Sequence, residues 1–305
     1  MLAIVAPGQG AQVPGMLHAW LELPGAADLL ASLSTASGLD LTAHGTTSDA
    51  DTIRDTAVAQ PLIVAAGLLS WNALNSPAAD VVAGHSVGEI TAAVVAGVLT
   101  PADAMGFVHL RGAGMAQAAA KVATGMSAVL GGDASVVVAK ASEYGLTPAN
   151  MNGAGQIVVA GTLEQLEAFA NDAPEGGRVR PLPVAGAFHT EHMAPAIADL
   201  EAYATSMNAL DPTAVLLSNA DGNSIDSGSE ALRRLVAQVS NPVRWDLCMD
   251  MMVSMGVTGL LELSPGGTLV GLAKRAMPGV AAVAVKTPED LDAARALIAE
   301  HVGKA

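Results

Sequence analysis

Short β-branched apolar runs alternate with longer alanine- and leucine-rich segments along the first hundred residues. LAIVA (2–6) is followed by an Ala/Leu segment around 57–74, then DVVAG (80–84), then EITAAVVAGVL (89–99). The short runs predict strands and the longer ones helices, an alternation that implies parallel pairing buried on both faces. Thr100-Pro101-Ala102-Asp103 predicts a helix start, with Thr as N-cap, Pro in the first turn and an acid at the positive end of the dipole; the helix should run to about residue 120. From about 124 the rhythm changes. GMSAVLGG, GLTPANMN, GQIVVAGT and RVRPLPV predict strands, while DASVVVAKASEY and LEQLEAFAND predict helices, so the order is βαββαβ, that of a ferredoxin-like unit. TAVLLSNADG (213–222) and TGLLELSPGGTL (258–269) each predict a strand that ends in a turn.

Composition narrows the function classes. Of 305 residues, 51% are hydrophobic but only 3% aromatic and 14% charged, which predicts an α/β globule built in many small apolar increments rather than a disordered chain. The formal charge of −15 argues against nucleic acid and anionic membrane surfaces as partners. The single cysteine, Cys248, sits in an apolar stretch and reads as a buried inert thiol. The N-terminus has no basic n-region, and no run approaches the ~18 uninterrupted apolar residues of a membrane span. A cytoplasmic location is expected.

The stretch VVAGHSVGEITAA (81–93) carries the chemistry. A serine between glycines two before and two after, with a strand in front and a helix behind, predicts a sharp turn that pushes Ser86 out over the sheet end. Ser86 is therefore a candidate nucleophile, with helix N-terminal amides near enough to stabilise an oxyanion. His85, adjacent in sequence, reads as structural. For the base, His189 in GAFHTEHM is favoured over His18, His44, His109 and His301 because it lies where the small unit returns to the large one. His189, Glu191 and His192 make a weak zinc reading, since HExxH spacing is absent. Arg111 stands among Val108, Leu110, Ala113, Gly114 and Met115 with no nearby acid; a guanidinium in such company suits a carboxylate ligand. PGQGAQ (7–12) fails as a dinucleotide loop because Val13 stands where the third glycine belongs, but it suits a backbone oxyanion donor.

Together these stretches resemble the malonyl-CoA:acyl carrier protein transacylase family, related to the acyltransferase domains of fatty-acid and polyketide synthases. The resemblance rests on PGQGAQ (7–12), Gln60-Pro61, GHSVGE (84–89), Arg111-Gly112 with Met115, NMNGAGQIVVAG (150–161), GAFH (186–189), SNADG (218–222), Gln238 followed by NPVRW (241–245), and ELSPGGTLVGLAKR (262–275). It implies ping-pong acyl transfer from malonyl-CoA through a malonyl-serine to the phosphopantetheine thiol of acyl carrier protein, with no cofactor and no metal. It implies Ser86 as nucleophile, His189 as base, the Gln238 backbone carbonyl as orienter of His189, and the amides of Gln9 and Val87 as oxyanion hole. It further implies that Arg111 clamps the malonyl carboxylate while Gln60, Met115, Asn152 and Phe188 line the pocket. Phe188 resembles the form associated with malonyl rather than methylmalonyl selectivity. One departure is Ser264-Pro265-Gly266-Gly267, where many relatives carry G-P-G-K. Arg233, Arg234, Lys274 and Arg275 are then candidates for a local basic patch that docks the carrier. The rival reading is a serine thioesterase or esterase.

The fold expected is α/β, with a large α/β-hydrolase-like domain of parallel sheet core (1–123 and 187–305) and an inserted small ferredoxin-like domain (124–186). A monomer is expected, since no heptad or apolar seam is visible.

Overall fold

The computed structural model describes residues 1–184 and 186–303. In chain order its strands are β1 (Leu2–Ala6), β2 (Val81–Gly84), β3 (Thr124–Gly131), β4 (Thr147–Gly153), β5 (Gln156–Thr162), β6 (Gly177–Pro181), β7 (Val215–Leu217), β8 (Ser224–Ile225), β9 (Val243–Arg244), β10 (Gly259–Glu262) and β11 (Ala281–Ala284). Two sheets result, and the fold is mixed α/β.

The six-stranded sheet has the order β11-β10-β1-β2-β7-β8, parallel throughout except for the β7–β8 pair. β1 lies at its centre with every residue buried, and its alternate side chains enter different cores: Leu2 and Ile4 one, Ala3 and Val5 the other. That two-sided burial is why the strand reads as an unbroken apolar run. The helices Thr56–Ala73 and Pro101–Ala119 pack with the first core, and Trp245–Ser254 and Thr268–Ala276 with the second. Thr56–Ala73 is long and apolar enough to cross a membrane, with a mean hydropathy of 1.2, yet 72% of it is buried inside the fold. It serves as a central helix of the core.

The parallel register sets Ala6 opposite Gly84, so the loop after β1 and the turn after β2 leave the sheet side by side at its carboxyl edge. Crevices at such edges are where open α/β sheets hold ligands. The turn after β2 enters the helix Gly88–Val95. This helix stops four residues short of the run that predicts it, because Gly97 turns into the left-handed region (φ +78°) and Val98 N–H bonds back to the Ala93 carbonyl. Thr100 then caps the next helix, its hydroxyl accepting from Asp103 N–H.

The five-stranded sheet has the order β6-β3-β5-β4-β9. β3 runs antiparallel to both neighbours and β4 antiparallel to β5. One face packs under the helices Ala134–Glu143 and Leu163–Asn171 through Val129, Ile157, Val159, Val137 and Phe169. The opposite face carries Met126, Ala128, Val158 and Ala160 toward the main core, the alternation a half-buried strand requires. β9 was not legible in the sequence. It is a two-residue strand from the later part of the chain that pairs parallel to β4, Asn150 against Val243, and is too short to show a period. The run TAVLLSNADG likewise yields only the three-residue β7 before it turns.

Candidate active site

Ser86 sits at φ +53°, the left-handed region that a non-glycine residue adopts only under constraint. The constraint is visible at the two flanking glycines. A Cβ on Gly84 would lie 2.0 Å from the backbone carbon of Gly88, and one on Gly88 would lie 2.2 Å from the Ala6 carbonyl oxygen. Neither position admits a side chain. The turn is pinned further by His85 N–H to the Ala6 carbonyl (2.9 Å) and by Ser86 N–H to Asn219 Oδ1 (2.8 Å).

Ser86 Oγ lies 2.7 Å from His189 Nε2, although 103 residues separate them. His189 Nδ1 lies 2.8 Å from the Gln238 backbone oxygen. That carbonyl can only accept, so Nδ1 carries the proton and Nε2 is left to accept from the serine hydroxyl. His189 also adopts a positive φ (+62°), and its turn is braced by Thr190 Oγ1 donating to the Ala187 carbonyl (2.7 Å). Burial first, then the neighbouring Arg111 charge, push the imidazole down to about 3, which keeps it neutral. His192 turns away into a 3₁₀ segment, Glu191–Ala196. His18, His44, His109 and His301 do not line the cleft.

Arg111 is 1% exposed. Its guanidinium donates to Gln60 Oε1 (2.7 Å), to Gln238 Oε1 (2.7 Å) and to Ser86 Oγ (3.3 Å). Gln60 is itself held by Nε2 against the Met115 sulfur (3.5 Å). Burial lowers the Arg111 guanidinium to about 10, while the Glu89 carboxylate works in the opposite sense. At that value it remains a cation.

These groups open onto a cleft of about 220 Å³ between the two sheets. Gln9, Gln60, Ser86, Met115, Phe188 and His189 line one side; Met126, Ala128, Asn150, Asn152 and Val158 line the other. His85 reaches across it, Nε2 to Asn152 Oδ1 at 2.8 Å, and packs edge-on against Trp245. Burial lowers the His85 imidazole and the Asn152 contact opposes that shift. The loop after β1 lies against this turn so closely that a Cβ on Gly8 would be 2.9 Å from His85. The Gln9 and Val87 amides are thereby at the same corner as Ser86, and among the described residues neither donates to a backbone or side-chain acceptor.

Two residues of the site were missed by sequence reasoning. Glu89 is 5% exposed and binds the Asn219 N–H and the Gln238 side-chain amide; Asn219 is fully buried and also donates to the Gly84 carbonyl (2.8 Å). Glu89 looks like an ordinary first-turn acid, and only its place inside GHSVGE, directly behind the serine turn, could have flagged it. The candidate basic patch divides. Arg233 and Arg234 are already engaged by Glu230 and Asp221. Lys274 and Arg275 are exposed in the last turn of Thr268–Ala276, whose Leu269 and Leu272 line the cleft, and neither has an ion pair among the described residues.

Known proteins share this construction. A family profile described as acyl transferase domain matches residues 4–293. The malonyl CoA-acyl carrier protein transacylase of Mycobacterium tuberculosis is 52% identical over 297 residues, covering 96% of this chain and 98% of its own length. That of Escherichia coli K12 is 34% identical over 96% of this chain and 98% of its own. Among solved structures, MCAT from Mycobacterium tuberculosis superposes with a TM-score of 0.93 at 53% identity, over 96% of this chain and 99% of that one. A malonyl-transacylase solved in complex with its type II PKS acyl-carrier protein superposes with a TM-score of 0.91 at 31% identity, over 97% and 99%. With sequence and fold matched over nearly the whole length, the chain belongs to the acyltransferase family of malonyl-CoA:acyl carrier protein transacylases.

Proposed function

We propose that the chain moves a malonyl group from malonyl-CoA to the phosphopantetheine thiol of acyl carrier protein, in fatty-acid or polyketide synthesis. The observation that carries this reading is the Arg111 guanidinium, buried and 3.3 Å from the Ser86 hydroxyl, with the His189 ring 2.7 Å away on the same oxygen. A serine–histidine pair alone suits any acyl transfer. A buried cation within one short acyl chain of the nucleophile suits an acyl group that ends in a carboxylate.

The steps follow from the geometry. Ser86 attacks the thioester carbonyl as His189 Nε2 takes its proton, and Gln238 O stabilises the imidazolium through Nδ1–H. The Gln9 and Val87 amides receive the oxyanion. Collapse expels CoA, and His189 returns the proton to the departing thiol. The carrier's thiol then repeats the sequence in reverse. Arg111 pairs with the malonyl carboxylate, and Gln60, Met115, Asn152 and Phe188 shape the pocket around it.

Within this reading residues 124–186, which carry four strands of the second sheet and its two helices, form a ferredoxin-like unit inserted into an α/β-hydrolase-like domain (1–123 and 187–305). The strand order β6-β3-β5-β4 and the two interlayer cores support it. The lone buried Cys248 suits the cytoplasm. Lys274 and Arg275 are the docking candidates for an acidic carrier.

The experiment is intact-protein mass spectrometry after mixing with malonyl-CoA, followed by peptide mapping and a chase with phosphopantetheinylated carrier. A malonyl adduct on Ser86 that moves to the carrier is expected. An adduct that decays to free malonate while the carrier stays unloaded would turn the reading to a thioesterase.

A further inference from the structure

The acceptors around the Arg111 guanidinium are neutral: two amide oxygens and a hydroxyl. A buried carboxyl lies one residue further back, behind Gln238. Glu89, in the first turn of Gly88–Val95, accepts from the Asn219 N–H with one oxygen and from Gln238 Nε2 with the other. The Gln238 amide therefore bridges a carboxylate and a guanidinium, its NH₂ toward Glu89 and its oxygen toward Arg111. An ionised carboxylate only accepts and a guanidinium only donates, so both ends of that amide are fixed. The other groups near Glu89 are Arg234, already spent on Asp221 and Glu230, and the Cys248 thiol.

We propose that Glu89, in the pH range where it is ionised, is the counter-charge of Arg111 and hands that role to the malonyl carboxylate, taking up one proton from solvent as malonyl is loaded onto Ser86. The inference rests on the malonyl-transfer reading above. A second anion at Arg111 would leave two carboxylates beside one cation in a water-poor site, where like charges resist joint ionisation. Glu89 is the one to give way: burial already pushes its carboxyl up to about 8, against the opposing pull of the Asn219 N–H, Arg111, Arg234 and Gln238. Once protonated it no longer sets a second negative charge against the malonyl carboxylate; the Gln238 amide keeps its orientation, because its Nε2 also donates to the Ser86 carbonyl (3.2 Å) and to Asn219 Oδ1 (3.2 Å). The chemistry itself is proton-neutral, because the Ser86 proton leaves on the CoA thiol through His189. Malonyl-CoA, the serine hydroxyl, the Glu89 carboxylate and one proton give malonyl-serine, CoA thiol and the Glu89 acid.

The test is proton uptake in weakly buffered solution with a pH indicator, during stoichiometric loading of the whole protein by malonyl-CoA. It is corrected by adding the same amount of CoA thiol alone, and adducts on Ser86 are counted by mass spectrometry. The expected result is uptake that rises from near zero at about pH 6 toward one proton per adduct above the Glu89 titration, together with a malonyl-CoA KM that climbs by up to ~10-fold per pH unit there. Glu89→Gln abolishes the uptake and flattens the KM profile; if that variant does not fold, the wild-type profiles decide alone. An adduct formed without the extra proton overturns this inference and leaves the transfer reading standing. No malonyl adduct on Ser86 overturns both.

Discussion

The two walls of the cleft are built on opposite principles. The wall from the six-stranded sheet and its helices concentrates charge and hydrogen bonds: Ser86, His189, Arg111, Gln238, Glu89 and Asn219 are all at most 9% exposed and each polar group is tied to another. The wall from the five-stranded sheet offers Met126, Ala128 and Val158 with a few amides and no charge. Groups that must hold a transition state need preorganised partners, and every partner fixed in advance is reorganisation avoided during the reaction. Groups that only bound the size of an acyl chain need contact and exclusion of water. On the proposed reading chemistry belongs to one wall and shape to the other, and substitutions on them should differ in kind as well as size.

The largest effects fall on the charged wall. Ser86→Ala or His189→Ala should cost about 10⁴-fold or more in kcat, the scale seen when one member of a catalytic pair is removed; single-turnover loading reads it. The same histidine sets the acid limit. The fold holds His189 far below its ordinary 6.5, so the unfolded chain binds that proton more readily. The associated stability is complete above about 6.5 and is lost as pH falls through the range toward 3. A His189→Gln variant should show a flatter loss of melting temperature on acidification.

Arg111→Ala comes next. Truncating one partner in a buried charged network should lower kcat/KM for malonyl-CoA by roughly 10²- to 10³-fold, while acetyl-CoA loses much less. A retained malonyl preference would remove the distinction between the walls, since selectivity would then lie elsewhere.

On the apolar wall, Val158→Ala should alter malonyl kcat/KM by about ten-fold or less while improving the relative rate of a methyl-branched acyl-CoA, because small volume changes in apolar pockets carry only ~1–3 kcal/mol. A loss as large as that of Arg111→Ala would show that the second sheet does more than set shape. Smallest should be the change outside the cleft. Reversing Lys274 and Arg275 to Glu should raise KM for the carrier a few-fold and more strongly at low salt, with kcat for malonyl loading unchanged. Arg233→Ser should have no effect, since Glu230 already occupies that charge.

The sequence by itself determined whatever is local. The all-apolar β1, the Gly84-Ser86-Gly88 turn between strand and helix, the Thr100 cap and the strand–helix order of residues 124–181 were legible because periodicity, capping and glycine spacing act within a few residues. Phrases such as PGQGAQ and NPVRW raised candidates without saying what they touch. Only the tertiary structure decided that the chain's distant turns meet: His189 on Ser86, the Gln238 carbonyl behind His189, Gln60 on Arg111. It also turned Glu89 from an ordinary first-turn acid into a buried carboxyl bonded to Gln238 and Asn219, and drew β9 across to join the second sheet. Burial and long-range hydrogen bonding are properties of the packed chain, set by which faces exclude water together, and no window of the sequence contains them.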